Sequence, residues 1–405
     1  MLGRMHSSEA EPRGAWTVVW ACFAALAVIF GVSYSFAALF PPLQREFGAQ
    51  RAEVSLLFGV SGLIYFLLGA LAGIAADRFG PRLVTSAGMV CIAAGLLGAS
   101  WVPGLGGVTW AYGVGVGMGI GLVYTPAIAC VQPWFTRRRG LAAGLASAGI
   151  GAGTLLVPLA VTALLGTMDW RPALRYVAAF VLLVGLAATL LLRRAPAAGG
   201  GGARRSVPGL SLREVLRTPS FRWLYAMCLL GSVPMFVPFS HVSAAARDLG
   251  LADARAVGLV GLIGIGSLTG RFGIGALADR IGRPVTLVLM EASLALCFVL
   301  WSQAGGYAAL ALFALWMGLS YGGIVSLMPA LCMDYYGARA VSSVVGVLYT
   351  GAAFGNLGGP WFAGWVFDRS GSYQGVIWVC LALGVAATLC AAQAVRPAHK
   401  GHGAA

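Results

Sequence analysis

The sequence predicts an all-α membrane protein with twelve transmembrane helices in two six-helix halves. Composition, twelve long apolar segments and one repeated motif predict it. Of the 405 residues, 59% are hydrophobic and only 10% are charged, whereas soluble proteins average about 25% charged residues. The 59 glycines fit the close helix packing that small residues allow in a bilayer.

Each apolar segment is long enough to cross a bilayer, which requires roughly 20 residues. The first is too long, and too soon followed by a second, to be a cleaved signal peptide. The twelve segments lie near residues 16–43, 54–76, 83–101, 108–133, 140–165, 173–192, 221–246, 255–277, 285–303, 306–333, 341–366 and 374–395.

The positive charges are distributed unevenly between the two sides of this topology. If the N-terminus is cytoplasmic, 19 of the 27 Lys and Arg residues lie in cytoplasmic tails and loops, and seven lie outside. Because cytoplasmic loops are enriched in Lys and Arg, both termini are predicted to be cytoplasmic in a multi-pass protein of a bacterial-type inner membrane. The net charge of +14 therefore reflects topology, and no nucleic acid partner is expected. Only Arg271 lies deep within a segment.

A motif between segments 2 and 3 recurs between segments 8 and 9, with its Gly and Asp offset by 202 residues. It divides the chain into a first bundle at 1–193, a cytoplasmic linker at 194–218 and a second bundle at 219–405. Each copy places an aspartate at one helix end and arginines at the next helix start, where they can latch the cytoplasmic ends. The predicted gate residues are Asp77, Arg78, Arg82, Asp279, Arg280 and Arg283.

This repeated loop resembles the signature of the major facilitator superfamily. The resemblance covers essentially the whole chain and implies a central cavity, with alternating access by rocking of the two halves. It also implies that Asp77 and Asp279 help to close the cytoplasmic side in the outward-facing state.

Two further stretches resemble monocarboxylate porters and oxalate/formate antiporters. One is FPPLQREFG at 40–48 followed by RAEVS at 51–55, and the other is WFTRRRGLAAG at 134–144. The arginines at 137–139 are interpreted as topological charges that orient helix 5.

Arg271 is the strongest candidate for a binding residue. It precedes Asp279 by eight residues, about 12 Å along a helix, which is too deep for its side chain to reach the interface comfortably. A buried cation usually faces the bundle interior or a water-filled cavity, and a guanidinium matches a carboxylate as a planar fork. Related porters carry a substrate-binding arginine at the corresponding place in helix 8. The alternative is a structural ion pair with Glu291.

One buried cation suits one carboxylate. Oxalate-type antiporters resemble the chain around 346–350, but they carry a second cation shortly afterwards, where this sequence has Gly351, Ala352 and Ala353. A small monocarboxylate such as lactate, pyruvate, acetate or formate is therefore the expected substrate, with oxalate/formate-type exchange as the alternative. Polar side chains near mid-span are expected to assist in binding: Tyr34, Tyr124, Tyr321, Tyr349 and Asn356.

A monoanion is expelled by an inside-negative potential, so uphill uptake requires a proton or an exchanged anion. Three residues are candidate proton carriers: Asp248, His241 and Glu291. Asp248 ranks first, because related porters couple through an acid of helix 7 or 8 that acts with the arginine. Asp248 could instead be a helix-end charge paired with Arg247 or Arg255.

Other classes of function fit less well. A multidrug exporter of this fold commonly carries a buried acid in the first half and a Gly-Pro signature in helix 5, and this chain has neither. For an enzyme, only His241 among four histidines lies in a span, no C-x-x-C pair occurs, and no phosphate-binding loop is present. No enzyme activity, cofactor or metal site is predicted, and the protein is expected to be monomeric. A sensor that retains this scaffold without transport is left open.

Overall fold

The computed structural model describes residues 14–135, 139–194, 209–337, 339 and 341–395. Within these residues, twelve helices are long and apolar enough to cross a membrane, which confirms the predicted fold class. They are α1 (Ala15–Phe47), α2 (Arg51–Phe79), α3 (Pro81–Trp101), α4 (Leu105–Val131), α5 (Arg139–Leu165), α6 (Trp170–Leu190), α7 (Pro219–Asp248), α8 (Asp253–Ile281), α9 (Arg283–Ser302), α10 (Tyr307–Tyr336), α11 (Val341–Ser370) and α12 (Gln374–Ala394).

Two spans contain a local irregularity. In α1, Ser35 separates the stretches Ala15–Tyr34 and Phe36–Phe47, and its hydroxyl donates to the carbonyl of Gly31 at 2.7 Å. In α6, the five residues Val181–Gly185 form a π-helical turn.

The repeated motif has the same backbone geometry in both copies. Gly80 joins α2 to α3 with φ 93° and ψ 146°, and Gly282 joins α8 to α9 with φ 90° and ψ 139°. A side chain is strained at such positive φ values, so glycine suits this turn. A proline then occupies the first turn of the following helix, where its missing N–H has no helical partner to lose.

Part of the linker is also described. Leu212–Arg217 forms a short helix that begins with a capping box between Ser211 and Glu214. Ahead of it, the amide of Leu210 donates to the carbonyl of Tyr336 at 2.8 Å, which fastens the linker to the end of α10. Residues 195–208 of the linker, and residues 137 and 138 of the arginine run, lie outside the described part of the chain.

Glycines allow α8 and α10 to interlock. An added Cβ at Gly270 of α8 would lie 2.2 Å from the carbonyl oxygen of Leu319, and one at Gly322 of α10 would lie 2.1 Å from that of Ser267. Backbone therefore packs directly on backbone, as small residues permit between transmembrane helices.

The halves meet along two seams, α2 against α11 and α5 against α8. A Cβ at Gly364 of α11 would lie 2.4 Å from the amide nitrogen of Ala52, so α11 reaches the first turn of α2. We call the membrane side that holds the ends of α2 and α8 and the helix Leu212–Arg217 the linker side. The opposite side is called the far side.

Candidate substrate site

A central cavity of about 60 Å³ lies between the two halves. Aromatic side chains of the first half and mixed side chains of the second half line it. A water molecule needs roughly 10–15 Å³ of such space, so the cavity suits a few heavy atoms, not a drug-sized ligand. The polar and aromatic lining residues include Phe30, Tyr65, Phe66, Tyr124, Phe236, Arg271, Glu291, Tyr321 and Tyr349.

The cavity continues toward the linker side. A cleft of about 270 Å³ shares Tyr65, Tyr124 and Tyr349 with the cavity. The cleft in turn shares Thr125 with a wider space of about 970 Å³, whose lining includes Asp77. The structure is therefore open on the linker side.

Arg271 lies in this cavity, as predicted from its depth in the sequence. Its Nε donates to the hydroxyl of Ser267, one turn earlier on α8, at 3.4 Å. Its guanidinium also lies close to the hydroxyl of Tyr124 across the interface between the halves. No carboxylate of the described residues lies within ion-pair distance of Arg271, so the alternative ion pair with Glu291 is not formed in this conformation. The guanidinium fork is available to a bound anion.

Glu291 lines the same cavity from α9. It is 1% exposed, and its Oε2 has no hydrogen-bond partner in the described part of the chain. Its carboxyl group faces Gly231 of α7, where an added Cβ would lie 3.2 Å from Oε2. A carboxyl group in such surroundings can take up a proton or bond to a ligand.

The predicted tyrosines lie in and beside the cavity. Tyr124, Tyr321 and Tyr349 line it. Tyr34 lies just beyond it, where its ring stacks on Phe239 of the other half with centroids 4.3 Å apart. The hydroxyl of Tyr34 remains close to that of Tyr321.

Asn356 is not part of the cavity lining, which corrects its predicted place in the site. It is 1% exposed, and its Nδ2 donates to the carbonyl of Phe58 on α2 at 3.3 Å. A Cβ at Gly62 would lie 1.5 Å from that nitrogen. Asn356 therefore fills the space of a missing side chain and joins α11 to α2.

Asp248 lies at the far-side end of α7, away from Arg271. Its two carboxylate oxygens accept from Arg51, at 2.6 Å from Nη2 and 2.8 Å from Nη1. Its partner is thus neither Arg247, which pairs with Asp253, nor Arg255. The expected joint action of Asp248 and Arg271 has no direct contact to support it in this conformation.

Arg51 makes further contacts with the second half. Its Nη1 donates to the hydroxyl of Tyr373 at 2.7 Å, and its guanidinium lies 3.6 Å from the ring centroid of Phe367. Asp368 of α11 accepts from the backbone amides of Arg51 and Ala52, both at 2.9 Å. An acid thus caps amides at the start of α2 that have no partner within the helix, where negative charge is favourable.

His241 contacts this cluster through Tyr373 and is completely buried. Its Nδ1 is 2.9 Å from the Tyr373 hydroxyl, and its Nε2 is 2.8 Å from the carbonyl oxygen of Pro360 and 3.1 Å from Oγ of Ser55. We name the seven residues Arg51, Ser55, His241, Asp248, Pro360, Asp368 and Tyr373 the far-side seal.

The six predicted gate residues lie at the linker-side helix ends. Asp77 lines the wide opening, and Nη2 of Arg194 donates to its backbone carbonyl and to that of Ala76. Arg283 donates to both carboxylate oxygens of Asp334 within the second half, at 2.7 and 2.8 Å. Arg78, Arg82, Asp279 and Arg280 are exposed. Among described residues, none of the six forms an ion pair between the halves, so their role in closure stays a prediction.

Sequence reasoning gave no site role to five members of the far-side seal, which are Arg51, Ser55, Pro360, Asp368 and Tyr373. By sequence alone Arg51 is a loop charge, and Asp368 and Tyr373 have no indicated role. One signal is present, because Arg51 and Ser55 belong to the RAEVS stretch at 51–55 that resembles other porters. Asp248 and Asp368 also end α7 and α11 on the side where α2 begins.

Comparison with known proteins identifies the family. The Major Facilitator Superfamily model matches residues 21–356. The chain belongs to the Major Facilitator Superfamily. Among relatives of this major facilitator, bovine monocarboxylate transporter 13 is 30% identical over 363 residues, covering 88% of this chain and 84% of the bovine protein. Rat monocarboxylate transporter 13 is 28% identical over 374 residues, covering 91% and 86%.

A solved structure supports the fold of this major facilitator. A bacterial homologue of the human lysosomal transporter Spinster, in an inward-facing and unoccupied conformation, matches with a TM-score of 0.72 at 16% identity. The match covers 95% of this chain and 97% of that protein. This likeness concerns the fold alone.

Proposed function

We propose that this major facilitator is a proton-coupled carrier of small monocarboxylates, with Arg271 as the receptor for the carboxylate. The availability of the Arg271 guanidinium in a small central cavity carries the proposal. A guanidinium keeps its charge and offers two parallel N–H donors to a carboxylate. The names of the bovine and rat relatives agree with this class of substrate.

The cavity favours a small monoanion over larger or doubly charged substrates. Arg271 is the only Lys or Arg among the described residues that line it, so a second carboxylate would have no cationic partner there. The aromatic wall suits a short apolar group next to the carboxylate. Lactate, pyruvate and acetate each carry one carboxylate and a methyl group, and formate satisfies the first condition.

Glu291 is the proposed proton carrier, because it is the candidate that lines the same cavity as Arg271. Protonation would make its carboxyl group neutral and able to donate a hydrogen bond to the bound anion. Proton and anion would then cross together, with their charges compensated. Exchange of one carboxylate for another is the alternative mode and needs only Arg271.

The proposal also includes topology. The linker side is the cytoplasmic side, because the arginines around the linker and the repeated motif lie there. Both termini are then cytoplasmic, the membrane is an inner membrane of bacterial type, and a single chain encloses the whole transport path.

Transport by purified protein in liposomes tests the substrate class. An inside-alkaline pH gradient is expected to drive accumulation of labelled lactate, pyruvate, acetate or formate above the level in protein-free liposomes. Oxalate is expected to accumulate poorly, because the cavity offers one cation. Saturable transport of oxalate alone, or of none of these anions, would contradict the proposal.

Replacing Glu291 by glutamine tests the coupling. We expect Glu291→Gln to keep exchange of labelled for unlabelled substrate but to lose accumulation driven by the pH gradient, because the amide cannot carry a proton. Glu214→Gln, in the exposed linker helix, is the matched control and should behave as wild type. Full gradient-driven accumulation by Glu291→Gln would remove Glu291 from the coupling step.

A further inference from the structure

The far-side seal forms a directed chain of hydrogen bonds. The carbonyl oxygen of Pro360 can only accept, so the proton of a neutral His241 ring belongs on Nε2. Nδ1 is then an acceptor and receives the hydroxyl proton of Tyr373. That hydroxyl oxygen in turn accepts from Nη1 of Arg51. Every bond of this chain is satisfied with His241 neutral.

Ser55 is consistent with the same assignment. Its hydroxyl donates to the carbonyl of Arg51 at 2.7 Å, which leaves its lone pairs facing Nε2 of His241. An N–H on Nε2 is therefore shared between the Ser55 oxygen and the Pro360 carbonyl. The imidazole thus contacts α2, α11 and the start of α12 at once.

A second proton on His241 would disturb this arrangement. The proton would occupy Nδ1, so the Tyr373 hydroxyl would lose the acceptor of its own hydrogen bond. Imidazolium and guanidinium would then lie on either side of one phenolic oxygen in a buried site. Neither acid contacts the imidazole directly, because Asp248 pairs with the Arg51 guanidinium and Asp368 accepts from the backbone amides of Arg51 and Ala52.

Within the described ranges, no acid is in direct contact with His241. Tyr373, Ser55 and the Pro360 carbonyl bond to its ring, and the ring of Phe40 on α1 lies 5.8 Å away, centroid to centroid. The nearest charges belong to Arg51, Asp248 and Asp368, which act through Tyr373 and through the start of α2. A charged imidazole is therefore better accommodated where water can reach it.

We propose that His241 is a proton-responsive switch in the far-side seal, whose protonation favours the far-side-open conformation. The seal joins α2 of the first half to α7, α11 and Tyr373 of the second. Weakening it favours separation of the halves on this side, where the imidazolium becomes hydrated. This inference rests on the proposed function only in assigning the opening to a transport cycle, where far-side protons would promote exposure of the cavity to that side.

Electron paramagnetic resonance measurements of the distance between two spin labels, one on each half, test the switch without any substrate. Labels at Gly104, between α3 and α4, and at Gly305, between α9 and α10, would report far-side separation. A Cβ at either position meets nothing within 4 Å. The labels require a chain whose eight native cysteines are replaced and which remains monodisperse.

In this labelled chain, lowering the pH from about 7.5 to about 5.5 brackets the titration of an unperturbed imidazole. We expect the population with the longer interspin distance to rise about fivefold or more. Fivefold is the lower end of the allosteric couplings that are typically measured. His241→Gln should remove the rise, because its side chain stays neutral. Ser243→Ala is the matched control on the same helix, since Ser243 donates only to the Ala256 carbonyl, and it should keep the rise.

Tyr373→Phe provides a second variant that does not depend on the folding of His241→Gln. It removes the hydroxyl between Arg51 and His241 but leaves the Arg51–Asp248 pair, so the pH response should fall. An unchanged response in either variant, or no response in the parent chain, would overturn the switch. A pH response in a protein that carries no carboxylate would keep the switch and reject the proposed function.

Discussion

Replacing Arg271 by alanine is expected to abolish carboxylate transport while leaving the protein folded. The cation makes no ion pair with the described residues, and its Nε bond goes to Ser267 on its own helix. Removing it therefore leaves no buried acid without its partner. The bound carboxylate, however, would lose its only cationic partner among the described lining residues.

The size of this loss follows from the bonds that a guanidinium fork makes. Each hydrogen bond to a charged group contributes about 1.5–3 kcal/mol, so two such bonds correspond to at least about 100-fold in affinity. Arg271→Lys keeps the charge but loses the planar fork, and we expect weak residual transport. Initial rates of uptake and exchange in liposomes measure both variants.

Arg255→Ala is the matched control for Arg271. Arg255 lies on the same helix, but it is exposed and lies over the ring of Tyr307 at 5.9 Å, outside the cavity. We expect this variant to transport at the wild-type rate. Wild-type uptake by Arg271→Ala would exclude Arg271 as the anion receptor, whatever the substrate.

Replacing Arg51 by alanine is expected to open the far side at neutral pH. This single side chain pairs with Asp248, donates to Tyr373 and packs on Phe367. The pair with Asp248 alone contributes about 1 kcal/mol or less, because the Asp248 side chain is 37% exposed. Because alanine also removes the Tyr373 hydrogen bond and the packing on Phe367, we expect a roughly tenfold larger far-side-open population, or about 1.4 kcal/mol.

The labels at Gly104 and Gly305 measure this change too. In Arg51→Ala, the population with the longer interspin distance should be larger than in the parent chain at both pH values. Net uptake should slow, because return to the linker-side-open state is disfavoured. Arg45→Ala is the control, since Arg45 is exposed on the same side and, among the residues that the structure describes, donates only to the Pro41 carbonyl of its own helix. An unchanged distance distribution in Arg51→Ala would show that the helix seams alone hold the far side closed.

The helices were predictable because bilayer crossing is a local property of the sequence. Twenty or so consecutive apolar residues suffice to predict a span, and all twelve expected spans are present in the described chain. The position of Arg271 was predictable for a related reason. Its depth follows from counting residues along one helix, and a cation at that depth usually faces the bundle interior or a water-filled cavity.

Contacts between distant helices were not predictable in the same way. Asp248 and Arg51 are 197 residues apart, and their pairing depends on how the two halves meet. Sequence spacing shows only that Tyr349 and Asn356 are seven residues apart, about two helical turns. It could not show that α2 approaches α11 at Gly62, where Asn356 fills the gap and is kept out of the cavity.

The close backbone packing of α8 and α10 has a consequence for the geometry of the site when the two bundles move relative to each other. Sliding or rolling of one helix against the other would force main-chain atoms into contact. We therefore expect the two helices to move as one rigid unit. Arg271 belongs to α8 and Tyr321 belongs to α10. A carboxylate bound by Arg271 and Tyr321, as proposed, would therefore keep both contacts while the facing wall with Tyr124 moves relative to it.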